Sequence, residues 1–190
     1  ALEKVQPVDL TASEISVRLG ATWLNPEYIR QFIFETLDTS RRARWDIKVH
    51  YSRITGEWRI EGKSKDSYNV KAYSTYGTSR ASAYDIIESS LNLKDVRIFD
   101  YQYDPDGRRV AVLNKKETAI AQGKQELLKE AFSEWIWKDP ARRERLCKLY
   151  NERFNSIRPR EFDGSHIKFF GMNPEITLRK HQSDAVARIM

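Results

Sequence analysis

Apolar and polar positions alternate with two different periods along this chain, and the change of period separates a mixed first half from a helical second half. Thr11-x-x-Glu14 is a capping box ahead of a short helix carrying Ile15 and Leu19, and Asn25-Pro26 opens a second helix with Tyr28, Ile29, Phe32, Ile33 and Leu37 inward. Trp45, Ile47, Val49 and Tyr51 then alternate with Asp46, Lys48, His50 and Ser52. After a turn at Thr55-Gly56, Trp58 and Ile60 alternate with Arg59 and Glu61, which predicts a hairpin with one buried and one wet face. A loop follows from Lys63 to Thr75, with Tyr68, Tyr73 and Tyr76 in and just after it. Gly77-Thr78-Ser79 is expected to cap a helix reaching Leu91. Val96 to Tyr103 and Arg108 to Leu113 flank Asp104-Pro105-Asp106-Gly107, a tight-turn sequence. These strands predict a small, mainly antiparallel sheet.

Beyond Asn114 the helical period takes over. Ile120, Leu127, Leu128, Ala131, Phe132, Trp135 and Ile136 form one stripe; past a break at Asp139-Pro140, Leu146, Leu149, Tyr150, Phe154 and Ile157 form another. Arg158-Pro159-Arg160 ends that helix, and an extended linker with a short strand at His166 to Phe170 is expected before Pro174. Ala185, Val186, Ile189 and Met190 recur at helical spacing behind Thr177 as N-cap. The expected fold class is α+β, a small antiparallel sheet with helices followed by a helical hairpin and an extended linker. The expected units are an α+β domain over 1–114, a helical pair over 115–157, and a linker with the start of a further segment over 158–190.

Charge adds a partner. The 190 residues carry a net charge of +6 and a sequence pI near 9.4, which favours a polyanion. The cations cluster in two zones: Arg41, Arg42, Arg44, Lys48 and Arg53, then Arg142, Arg143, Arg145, Lys148, Arg153, Arg158 and Arg160. Trp45 and Tyr51 interleave with the first zone and Tyr150 and Phe154 with the second, but all four also fall on apolar faces and are expected in the core, leaving the cations as DNA contacts. Arg80, beside the expected helix start at Gly77-Thr78-Ser79, is a further phosphate candidate, with ordinary capping the competing explanation.

Gly56 to Ser64 approaches a P-loop but holds one residue too many between its glycines, and its Trp58/Ile60 alternation reads as strand. His50, His166 and His181 lie far apart without metal-ligand spacing, so no metal is expected. Cys147 is the single cysteine; it allows no internal disulfide, suits a reducing cytoplasm, and sits in a helical stripe as a small apolar residue. No apolar run approaches a membrane span, and no secretory leader opens the chain.

Leu178-Arg179-Lys180-His181-Gln182, followed by Ala185 and Ile189, resembles the adenine-reading Gln motif ahead of the first ATPase strand in Swi/Snf-type superfamily-two helicases and translocases. A wider set is similar to the large adenine-specific DNA methyltransferase and helicase fusion proteins of bacterial mobile elements and restriction-modification-like systems. It comprises Leu10 to Ile15, Arg18 to Trp23, Tyr76 to Arg80, Leu93 to Ile98, the run Lys115 to Lys138 with Glu134 to Pro140, Tyr150 to Glu161, Asp163 to His166 and Gly171 to Ile176. The resemblance implies a methyltransferase before this segment and a motor after it, with the present chain connecting them, its residues 158–190 being a linker and the start of the helicase motor that stops short of the P-loop. It also implies Gln182, with Arg179, as the adenine reader, and a parent using ATP with Mg and S-adenosylmethionine.

No Asn/Asp-Pro-Pro-aromatic methyltransferase motif is present; Asn25-Pro26 and Asn173-Pro174 share only its beginning. The expected function is therefore a noncatalytic DNA-binding and coupling region, with double-stranded DNA and the flanking domains as partners and no cofactor of its own. The competing function is an interdomain or protein docking module.

Overall fold

A computed structural model of the chain describes residues 7–156, 162–173 and 175–190. Its architecture is mixed α+β: two antiparallel two-stranded hairpins, helices packed around them, a long helix pair and a C-terminal helix. The elements are α1 (Pro26–Thr36), α2 (Arg41–Asp46), β1 (Lys48–Tyr51), β2 (Trp58–Glu61), α3 (Ala83–Leu91), β3 (Phe99–Tyr103), β4 (Arg109–Leu113), α4 (Lys115–Lys138), α5 (Pro140–Phe154) and α6 (Lys180–Ile189). By contacts the chain divides into residues 11–149 and a second unit of residues 1–10 with 150–190.

Local signals place most element starts. Asn25 caps α1 by accepting from Glu27 N–H, with Pro26 at the first helical position. Asn114 caps α4 through Glu117 N–H at 3.0 Å, and Asp139 starts α5 through Arg142 N–H at 2.6 Å. Thr11 donates from its N–H and its hydroxyl to the Glu14 carboxylate, and Glu14 N–H bonds Thr11 C=O, but these bonds close a turn rather than a helix. The third helix starts later than Gly77-Thr78-Ser79 predicts: Ser82 is its N-cap and forms a capping box with Asp85. Lys63–Asp66 is a 3-10 turn and Lys71–Thr75 a π turn, inside what the sequence presents as loop.

The strands make two separate hairpins rather than one sheet. In the first, Val49 pairs with Ile60 and Tyr51 with Trp58. The outer edge of β2 receives no further strand, because side chains of α3 and its C-cap occupy it: the C-cap Asn92 accepts from Trp58 N–H and donates to Trp58 C=O, both at 2.9 Å, and Glu88 accepts from Ile60 N–H at 2.6 Å. Backbone groups that would recruit a neighbour are thereby satisfied.

Helix side chains likewise shorten the second hairpin. Strand is predicted from Val96, yet β3 begins at Phe99, since Val96 N–H donates to Gln125, Ile98 N–H to Thr118, and Gln122 and Gln125 donate to the carbonyls of Val96 and Lys94. Thr118, Gln122 and Gln125 lie at helical spacing on α4, so residues 94–98 run pinned along that helix instead of pairing with a strand.

The core of residues 11–149 sits where α4 packs on α1 and α3. Phe32 meets Phe132 edge-on at 5.1 Å and Trp135 at 5.5 Å, with Ile29, Ile33, Leu128 and Ile136 fully buried around them. The buried face of α4 includes Thr118, Ala121 and Gln125, while Ile120 and Leu127 from the predicted stripe are exposed. In the other unit, Asn151 bonds both backbone groups of Leu10, Asn155 bonds Val8 C=O, and Gly164 lies against the backbone of Ser183 in α6. The strand expected at His166 to Phe170 does not form; turns flank that stretch. Among the described residues no helix is long and apolar enough to cross a membrane.

Candidate nucleic-acid interface

Helix α2 is short because its sequence, Arg-Arg-Ala-Arg-Trp-Asp, offers only Ala43 to the core. Ser40 caps it, accepting from Ala43 N–H and donating to Asp66 at 3.2 Å. Ile47 N–H still bonds Ala43 C=O, after which Ile47 turns extended and β1 begins. The expected strand from Trp45 is thus replaced by a helical turn up to Asp46, and the consequence for Trp45 is large. Predicted in the core, it stands 85% exposed.

Around Trp45 the chain builds a shallow depression of about 340 Å³ lined by Arg30, Phe34, Arg41, Arg44 and Trp45. Arg30 and Phe34 face it together because they are four apart on α1. The Arg30 and Arg44 guanidinium carbons each lie 5.4 Å from the Phe34 ring centroid. Arg44 is oriented by its Nε bond to Thr39 C=O at 2.9 Å, and Arg30 by a bidentate pair with Glu27 at 2.8 and 2.9 Å. Two of the three guanidiniums are therefore preorganised, beside an apolar floor. Arg30 and Phe34 are absent from the sequence-based candidates, although their spacing on one helix face was the available signal.

The other candidates scatter. Arg42 lines a separate open groove with Asp46, Lys65, Tyr68 and Lys71. Lys48 is exposed opposite Glu61, and Arg53 is exposed in the β1–β2 turn. Arg80 stands at no helix N-terminus; it pairs with Asp100 at 2.8 Å and donates to Phe99 C=O, and with Asn114 it holds the Asp100 carboxyl below the usual range. Arg142, expected on DNA, is only 7% exposed: its guanidinium carbon lies 3.6 Å from the Trp135 ring centroid, and it donates to the carbonyls of Trp135 and Ile136. Burial on the α4–α5 corner removes it from any interface. Arg143, Arg145, Lys148 and Arg153 are exposed along α5, while Arg158 and Arg160 lie outside the described residues. Phe154, also expected in the core, is exposed, and Tyr51 and Tyr150 are half-buried.

At the start of α6, Gln182 does not face open solvent with both ends. Its Oε1 accepts from Arg179 N–H at 2.9 Å, closing the first turn in place of the expected Thr177 cap. Reading adenine bidentately would require that bond to be released.

The P-loop near-match is resolved by geometry. Residues 58–61 are strand, and Gly62 has φ +75° with a Cβ position 2.3 Å from Asp46 C=O, so this glycine serves the turn into the 3-10 segment. Beside it, Lys63 bridges Asp85 and Glu88 at 2.8 and 2.9 Å. Burial works against its charge, but the two carboxylates outweigh it and raise its pKa. Asp66 is the centre of a buried network, accepting from Ser40, Asn69 and Tyr84, and Asn69 also holds Leu37 C=O. With every donor directed inward, that carboxylate is a structural node. Among the described residues no cluster of His, Cys, Asp or Glu could hold a metal ion.

No curated protein and no solved structure matches the chain. A family model does, over residues 18–156, a span that contains the Arg–Trp depression and ends before Gln182. The chain therefore belongs to the family described as domain of unknown function DUF8437.

Proposed function

We propose that this chain is a noncatalytic DNA-engaging and coupling region, working within a larger cytoplasmic bacterial protein that translocates along DNA with ATP and Mg and methylates adenine with S-adenosylmethionine. The resemblance of its segments to methyltransferase and helicase fusion proteins supports the parent. The observation that carries the DNA role is the depression in which Arg30, Arg41 and Arg44 surround an outward-facing Trp45. Cations there and along α5 would hold duplex phosphates, which positions DNA without specifying its sequence.

A salt series on the 190-residue chain tests this. Duplex binding should weaken steeply with salt, and R41A/R44A should reduce the log–log slope by about 2. Absence of duplex binding at low salt, or binding with no salt slope, overturns the proposal.

A second reading, a docking module, is favoured by the β3–β4 hairpin. Phe99, Tyr101 and Tyr103 alternate along β3, and Val110, Val112 and Leu113 on β4 are exposed as well. Two-stranded hairpins are marginal alone, so a protein partner would stabilise this one.

A further inference from the structure

The duplex reading accounts for the arginines of the depression but leaves Trp45 without a task. A tryptophan exposed to 85% offers a large planar apolar face, and duplex phosphates have nothing to place on it. We infer that the Trp45–Phe34 depression is a stacking site for an unpaired DNA base, with Arg30, Arg41 and Arg44 holding the phosphates on either side. This inference rests on the DNA-engaging function proposed above and narrows it to single-stranded DNA at this position.

Three observations converge on that ligand. The depression of about 340 Å³ is lined by two rings and by the side chains of three arginines, a volume suited to one base rather than to a helix or a second domain. No carboxylate is among the lining residues; Glu27 neutralises Arg30, so the site's positive charge comes from Arg41 and Arg44. A flat apolar group flanked by anions is what complements rings flanked by cations, and a single strand supplies both at every nucleotide. A duplex hides its base faces in the stack, so only strand separation or an extruded base presents them. Arg44 is braced through Thr39 and Arg30 through Glu27, which leaves less side-chain freedom to lose on binding.

The test uses the 190-residue chain with an oligothymidylate single strand and a duplex of matched phosphate count, each followed by anisotropy across a salt series. W45A should weaken single-strand binding about tenfold while changing duplex binding less than about twofold, with the salt slope unaltered. W45F, which keeps a ring, should retain single-strand affinity within about threefold, and W45Q should behave as W45A does. R41A/R44A should weaken both ligands and lower both slopes. Melting temperatures of the Trp45 variants should match the parent chain, because the side chain packs on little.

Equal losses on both DNAs, or none on either, overturn the stacking site while the DNA-engaging function stands. An acidic aromatic peptide that binds through Trp45 while oligothymidylate does not overturns it in favour of a protein ligand. Duplex binding without oligothymidylate binding removes the stacking site alone, and failure of both DNAs to bind at low salt removes both proposals together.

Discussion

Arg142 lies over Trp135 with its guanidinium carbon 3.6 Å from the ring centroid, and the same guanidinium donates to the carbonyls of Trp135, at 2.6 Å, and Ile136, at 3.0 Å. The last turn of α4 has carbonyls without helical partners, and α5 restarts two residues later; Arg142 satisfies two of those groups and clamps the corner. Trp135 is fixed from its other side by Glu35, which accepts from the indole Nε1 at 2.6 Å. One arginine thus links the break between the long helices to the aromatic core against α1.

R142A should destabilise the fold by about 2–4 kcal/mol, since it removes two buried hydrogen bonds and a desolvated cation–π contact. R142K should recover only part of that, because an ammonium cannot fork to two carbonyls while stacking. Urea unfolding measures both. Duplex affinity of the folded fraction should stay within about twofold of the parent chain, in contrast to R41A/R44A.

Tyr84 gives stability an alkaline limit. Burial, then its 2.6 Å hydrogen bond to Asp66, raises its pKa above the ordinary value of 10.0. Above pH 10 the unfolded chain releases this proton while the folded chain retains it, so stabilisation that is full below pH 10 is lost as pH rises further. Y84F should cost about 1–2 kcal/mol at neutral pH through the lost bond and should flatten the alkaline decline. Lys63, whose pKa is also raised, adds its own loss at high pH, so the diagnostic quantity is the difference between wild type and Y84F across the range.

G62A should destabilise by about 2 kcal/mol or more. A β-carbon there would meet Asp46 C=O at 2.3 Å, and the backbone holds φ +75°. G56A, at φ +71° but with open space around it, carries only the conformational cost and should lose about 1 kcal/mol. Thermal melts of the two variants separate close approach from backbone strain. A larger loss for G56A would contradict the packing of residue 62.

Q182A should fray α6, whose first turn is closed by the Gln182 side chain, costing about 0.5–1 kcal/mol of helix stability. Q182E keeps an acceptor and places negative charge in the first turn, so its helicity should equal or exceed that of the parent. An adenine-reading role demands the opposite of glutamate, which lacks the amide donor. In a longer protein containing a motor, Q182E should therefore preserve the helix and lower ATP affinity. Circular dichroism and nucleotide titration read the two effects independently.

Features encoded within a few residues were legible in the sequence. Asn25-Pro26, Asn114 and Asp139-Pro140 start helices where their capping chemistry requires, and Asp104 to Gly107 reverses the chain as its turn residues dictate. That Val96 to Ile98 are not strand was not legible, because their backbone partners are side chains of Thr118, Gln122 and Gln125, which become neighbours only when α4 docks. The candidate interface divides in the same way. Arg41 and Arg44 stood out as cations, whereas Arg30 and Phe34 joined them only through the packing of α1 beside α2.

The sequence by itself determined the α+β class, the starts of α1, α4 and α5, the turn at Asp104 to Gly107 and the surplus of positive charge, since capping, turn geometry and net charge are properties of neighbouring residues or of composition. Tertiary structure alone decided that Trp45 faces outward and Arg142 inward. Periodicity marks an apolar face but not whether another element arrives to cover it: α2 ends before any helix packs over Trp45, while the α4–α5 corner folds Arg142 onto Trp135.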